Sequence, residues 1–203
     1  MTKTRVAVLV SGGGTNLQAL IDAQARGEIP DGEIALVVSN NAGAYALKRA
    51  EAAGIPAAVC LRGKGEPREA FEARLQRILA GNHIDMVILA GFMAILSAEF
   101  VKHWPERIIN VHPALIPSFC GEGFYGLRVH RAALDYGVKV TGATVHYVNE
   151  IPDGGRIIAQ KAVEIAEDDT PETLQRRVME QAEWILLPRA AEMVAEKIAQ
   201  ENH

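Results

Sequence analysis

The chain has 203 residues, 49% hydrophobic and 23% charged, enough apolar material for one large domain or at most two small ones. A net charge of −4 argues against a nucleic-acid binder working through a broad basic surface. No run approaches the roughly 20 apolar residues of a membrane helix. Cys60 and Cys120 are too few for a disulfide framework or a zinc site. A cytoplasmic protein without membrane, nucleic acid or metal is the expectation.

The N-terminal apolar run is too short for a secretory signal and passes straight into a turn. "TRVAVLV" (Thr4 to Val10) reads as a buried strand, followed by the helix "TNLQALIDAQARGE" with Thr15 or Asn16 as its cap. "EIALVVSN" is a second strand, followed by the Ala-rich helix "AGAYALKRAEAAGI" ending at Gly54. "PAAVCL" is a short third strand, and "EPREAFEARLQRILAGN" is a helix with Pro67 in its first turn and Gly81 at its end. Strands four and five are "IDMVILAGF" and "RIINVHP", with a short helix near Ala98 to His103 between them. After Pro117 the rhythm changes to a glycine-bearing loop, the helix "LRVHRAALDYG", and two strands joined through "EIPDGG". From Pro171 onward the tail is helical, with Pro188 expected to kink or split it.

Such βαβα alternation implies an α/β fold. We expect a Rossmann-like, mostly parallel twisted sheet with helices on both faces, a C-terminal antiparallel hairpin and a long C-terminal helix. A single domain over 1–203 is the economical reading. Sites in such sheets sit beyond the carboxyl ends of the strands, which is where "SGGGTN", "AGFMAIL" and "NVHPALIP" fall.

Three glycines between a strand and a helix offer backbone N–H groups to a phosphate, with Thr15 and Asn16 as further donors. The plainer alternative is a tight turn without a ligand. A P-loop is excluded because no Lys-Ser/Thr pair follows the last glycine. A dinucleotide fingerprint fits poorly, since Leu17 stands where its third glycine belongs and the second strand ends without an acidic residue.

Asn110 and His112 share one face near the end of the fifth strand, and neither suits a core unless paired. His83, His103 and His203 read as solvent-facing. His130 could be surface or site, and His146 could form a structural or a functional hydrogen bond. Asp153, and less readily Glu150, could serve His112, although Asp-Gly is above all a turn signal. Cys120 has no evident activating partner and reads as an inert loop thiol. No metal-ligand spacing and no nucleophile elbow occurs.

Taken together, "SGGGTNLQAL", "VILAGFMAILS", "IINVHPALIPSF", "GATVHYV" and "IPDGGRII" resemble the glycinamide ribonucleotide formyltransferase family of purine synthesis, over essentially the whole chain. The resemblance implies formyl transfer from the co-substrate 10-formyltetrahydrofolate to the amine of glycinamide ribonucleotide, without metal. It makes Asn110, His112 and Asp153 catalytic. The phosphate loop falls on Gly14, Thr15 and Asn16, and the ribose-binding carboxylate on Glu183. Folate contacts fall on Arg68, Met93, Ile95 and Leu96 and on the loop from Asn149 through Glu150 to Asp153. It also implies a nucleotide-binding half over 1–112 and a folate-binding and helical part over 113–203, in a monomer or homodimer. This chain has Ala94 where some members carry arginine, and the loop Ser118 to His130 has no assigned role. Related activities remain as alternatives. Methionyl-tRNA formyltransferase resembles this core but adds a C-terminal tRNA-binding domain. Formyltetrahydrofolate hydrolase adds an N-terminal domain and needs no phosphate loop. A non-catalytic nucleotide-binding module has no use for Asn110, His112 and Asp153.

Overall fold

Alternation in β1 (Thr4–Val10) divides the molecule into two cores. Val6, Val8 and Val10 face one side of the sheet, and Ala7 and Leu9 face the other. In the computed structural model, which describes residues 3–201, all seven strands join one sheet. His203 lies outside the described residues.

Strand order is β3-β2-β1-β4-β5-β6-β7, where β2 is Gly32–Ser39, β3 Ala57–Val59, β4 Met86–Leu89, β5 Ile108–His112, β6 Val140–Tyr147 and β7 Ile157–Glu164. The first five strands pair in parallel, while β5–β6 and β6–β7 are antiparallel. Helices α1 (Thr15–Ala25) and α2 (Tyr45–Ala52) cover one face, with α6 (Pro171–Val178) and α7 (Trp184–Glu201) beside them. Leu17, Leu20, Leu174, Leu187 and Ile198 bury there. The other face carries α3 (Arg68–Gly81) and the short α4 (Ala98–Lys102) through Phe71, Leu75, Leu79 and Phe100. Each such side chain stabilises the fold by roughly 1.5–3 kcal/mol. The last helix to place, α5 (Leu127–Tyr136), ends where Gly137 turns left-handed at φ 82°.

Two local expectations are corrected. Neither Thr15 nor Asn16 caps α1; the cap is Gly14, left-handed at φ 73°, with no side-chain bond. Its carbonyl already accepts from the Gln18 N–H at 2.9 Å, so the helix is engaged one residue earlier. Pro188 does not split the tail. It sits inside α7, and the irregularity comes before it as a π-helical turn at Met179–Glu183. Pro188 has no N–H for the carbonyl four residues back, and the wider turn precedes that gap.

Strand order reverses direction between β1 and β4, and a crevice opens beyond their carboxyl ends. The glycine turn after β1 and the segment 91–96 after β4 flank this crevice.

Candidate active site

The turn after β1 has its polarity imposed by α2. Carbonyls of Ser11, Gly12 and Gly13 accept from Asn41 Nδ2 at 3.2 Å, the Ala46 N–H at 3.1 Å and Arg49 Nε at 2.8 Å. Among the described residues no backbone N–H of Gly12, Gly13 or Gly14 donates to a protein group. The loop therefore spends its acceptors on α2 and on Asn41 in the turn before it, and keeps its donors free, as an anion site requires. A Cβ on Gly14 would stand 2.6 Å from that of Ala46, so glycine is needed for the close approach as well as for φ.

Beyond the crevice lies a cavity of about 760 Å³. Its lining includes Asn16, Gln175, Met179 and Glu183 together with Asn110, His112, His130 and Asp153. A second cavity of about 120 Å³, walled by Leu89, Leu96, Val148 and the loop 149–153, shares Asn110 and Asp153 with the first. The two spaces meet at the polar cluster.

The cluster comes from three segments. Strand β5 supplies Asn110 and His112 on one face, and β6 lays His146 directly opposite Asn110. The connection between β6 and β7 brings Asp153 over both. Asp153 Oδ2 lies 3.4 Å from His112 Nδ1, and Oδ1 lies 3.5 Å from His146 Nε2 and 3.4 Å from Asn110 Nδ2. The Gly121 N–H donates to Oδ2 at 2.9 Å. Residue 153 adopts φ 55°, a left-handed conformation costing a non-glycine residue about 1–3 kcal/mol and found at sites that need it.

Carbonyl partners decide both tautomers. His112 Nε2 lies 2.9 Å from the Phe119 oxygen, so that nitrogen carries a proton and Nδ1 is left to exchange one. His146 Nδ1 lies 2.8 Å from the Tyr147 oxygen, so its Nε2 is the acceptor for Asn110 Nδ2 at 3.2 Å. The second amide hydrogen of Asn110 has only the long contact with Asp153, and it is the donor available to a ligand oxygen.

Burial pulls the His112 imidazole below its ordinary value, against the charge of Asp153 and the Phe119 carbonyl. Asp153 favours imidazolium, but desolvation outweighs it. Burial raises the Asp153 carboxyl, but the contact with His146, the charge of His112 and the Gly121 N–H together hold it below the usual range. Glu183 is 5% exposed and is raised by burial, with Asn16 Nδ2 donating to it at 2.7 Å.

Other assigned residues fall in several places. Met93 and Ile95 are exposed on the rim of the larger cavity, and Leu96 is buried in the wall of the smaller one beside Asn149 and Glu150. Thr15 faces Met179 Sδ at 3.8 Å and lines a separate depression with Arg49 and Trp184. Arg68 opens α3 in a groove with Glu72 and His103, apart from the cluster. Cys120 donates to the Pro117 carbonyl at 3.3 Å, and burial pushes its thiol up. Among the described residues no group of three or more His, Cys, Asp or Glu could hold a metal ion, and no helix is long and apolar enough to cross a membrane.

The sequence left His130 and His146 open, and both belong to the site. His130 is 0% exposed and neither ring nitrogen has a protein partner. Burial lowers it to about 4, from an ordinary 6.5. Because the folded value lies below the unfolded one, the unfolded chain takes the proton first as pH falls. The stability is intact above about pH 6.5 and is lost as pH falls towards 4. Between pH 7.5 and 5 the loss is about 2 kcal/mol. Urea unfolding at those two pH values checks this: His130→Gln should flatten the dependence, and an equally steep variant would contradict it.

Comparisons with known proteins identify the family. Residues 4–190 match the family model described as formyl transferase. The chain is 46% identical over 193 residues to the trifunctional purine biosynthetic protein adenosine-3 of Gallus gallus, covering 95% of this chain and 18% of that protein. It is 36% identical over 197 residues to the chloroplastic phosphoribosylglycinamide formyltransferase of Arabidopsis thaliana, covering 97% of this chain and 67% of that one. The crystal structure of glycinamide ribonucleotide transformylase 1 from Symbiobacterium toebii matches with a TM-score of 0.89 at 41% identity, covering 96% of this chain and 89% of that one. The chain thus spans less than a fifth of the trifunctional relative's length. With one family matched from the first strand into the last helix, this chain belongs to the formyl transferases.

Proposed function

We propose that the protein transfers a formyl group from 10-formyltetrahydrofolate to the amine of glycinamide ribonucleotide, in purine biosynthesis. The observation that carries this is the meeting of two cavities at Asn110 and Asp153, with His112 in the wall of the larger one. The free loop donors stand at one side, and a largely apolar wall with exposed loop backbone stands at the other. A phosphorylated acceptor suits the first, with its phosphate on Gly14, Thr15 and Asn16 and its ribose on Glu183. The folate suits the second, against Met93, Ile95, Leu96 and the loop from Asn149 and Glu150 to Asp153, with Arg68 left for the glutamyl tail. Both cavities draw on the 1–112 and 113–203 segments, so each half contributes to each ligand. A cytoplasmic location fits this reading.

The chemistry follows from the hydrogen bonds. An amine attacking a formyl carbonyl builds negative charge on oxygen and positive charge on nitrogen. Asn110 donates its spare amide hydrogen to that oxygen. His112, neutral at rest because of its burial, takes a proton from the attacking nitrogen at Nδ1 and returns it to the departing one. Asp153 stabilises the imidazolium while it exists.

Following tetrahydrofolate release with and without glycinamide ribonucleotide tests the reading. Turnover that requires the ribonucleotide supports transfer. Release that is indifferent to it indicates hydrolysis and ends the proposal, and so does binding without release. Arg49 gives an independent check, as the guanidinium that turns the Gly13 carbonyl aside. Arg49→Gln is expected to raise the ribonucleotide KM about tenfold, the worth of one charge-assisted hydrogen bond. The folate KM should stay unchanged, and parallel changes in both would count against the loop as the phosphate site.

A further inference from the structure

Gln160 sits on β7 at the outer edge of the sheet, exposed, and the reaction above makes no use of it. Its Nε2 nevertheless donates twice, to the Ile116 carbonyl at 3.0 Å and to the Thr144 hydroxyl at 2.9 Å. Thr144, fully buried on β6, donates to the Ala114 carbonyl at 2.7 Å and accepts from the Ile116 N–H at 3.1 Å. With one hydrogen given and two lone pairs taken, that hydroxyl is saturated. Two side chains from the antiparallel part of the sheet thus fasten three backbone groups of the segment leaving β5.

A few residues further on, the same segment meets both groups of the proton-transfer pair. The Phe119 carbonyl accepts from His112 Nε2, and the Gly121 N–H donates to Asp153, each at 2.9 Å. Phe119 adopts φ 48°, a left-handed backbone disfavoured by its Cβ and kept where the surroundings over-determine it. Few other contacts are available to do so. Ser118 N–H bonds back to the Leu115 carbonyl at 2.9 Å and the Cys120 thiol to the Pro117 carbonyl, both within the segment itself. The Phe119 ring meets Phe124 and Tyr136 edge-on at 6.4 and 6.0 Å. Beyond the two bonds to the proton-transfer pair, the polar tie to the rigid sheet is the one made by Thr144 and Gln160.

We infer that Gln160, acting through Thr144, is a positioning residue for this reaction, holding the segment whose Phe119 carbonyl commits His112 Nε2 and leaves Nδ1 to carry the proton. The inference rests on the formyl-transfer reading. It assigns a kinetic effect to an exposed side chain on an edge strand, where a bare surface hydrogen bond would have none. Exposure also makes the test clean, since replacing Gln160 removes nothing from either core.

The experiment uses the full chain carrying Gln160→Leu and Gln160→Glu. Neither new side chain can donate at that point when ionised or apolar. Both are expected to lower kcat about tenfold, the cost of a small displacement of a reacting group, with both KM values within about twofold of the parent protein. The His112-dependent limb of the kcat–pH profile should move to lower pH, because the Phe119 carbonyl is one of the groups favouring imidazolium. Thr144→Ser keeps the hydroxyl and should retain rate and profile. Nitrogen NMR of the imidazoles reads the same claim without turnover: His112 should hold its proton on Nε2 in the parent protein and become a mixture in Gln160→Leu. A variant with parental kcat, profile and tautomer overturns the inference, and so does a loss of thermal stability with an unshifted profile. Should the parent protein fail to use the ribonucleotide, the functional reading falls, and the NMR comparison still decides the role of Gln160.

Discussion

His112→Ala is expected to lower kcat by about 10²–10⁴, the range a positioned proton carrier contributes. In the proposed mechanism the substitution removes the group that moves a proton between the two nitrogens, while Asn110, Asp153 and the loop donors stay in place. Both KM values should change much less than kcat, because the loss is felt where charge develops rather than in the ground state. Some stability is lost as well. His112 is 4% exposed, and its removal leaves the Phe119 carbonyl without a partner, at a cost of roughly 1–3 kcal/mol. Steady-state kinetics beside urea unfolding separates the two effects. A variant that remains folded and turns over within a few-fold of the parent would remove His112 from the mechanism.

Asn110→Ala is the second large effect, about 10²–10³ in kcat, as for other single donors to a developing oxyanion. His146 makes this more than a loss of one side chain. Its Tyr147 partner fixes Nε2 as an acceptor, and that acceptor holds one amide hydrogen of Asn110 and so aims the other. Asn110→Asp is nearly the same size but places a carboxylate beside Asp153, and it should be at least as slow as the alanine variant because it offers no N–H and repels a second negative charge. If Asn110→Asp kept substantial activity, the oxyanion role would be untenable.

Most of the fold could be read from sequence because the elements obey short-range rules. β1 was bounded correctly at Thr4 and Val10, since β-branched residues run up to a glycine turn. α5 was closed correctly by Gly137. The site was legible only where its residues lie on one element: Asn110 and His112 share a strand face by their spacing. Asp153 stood only as a candidate partner until the resemblance made it catalytic, because nothing local says that a turn after β6 folds back over β5. His146 stayed ambiguous for the same reason, since its meaning depends on antiparallel register opposite Asn110. Gln160 was silent altogether. An exposed polar residue in an edge strand looks like solvation unless the loop that it grips is known.

The winding of the C-terminal helices has a consequence of its own. α6 and α7 both feed one core, through Leu174 and Val178 on the first and Leu187, Val194 and Ile198 on the second. An uninterrupted α-helix advances about 100° per residue, so these two apolar stripes and the azimuth of Glu183 could not be chosen separately. The broad turn at Met179–Glu183 takes up extra chain in one revolution and decouples them. The carboxylate reaches Asn16 in the wall of the larger cavity by a slip in helical phase, and the burial on either flank is left undisturbed.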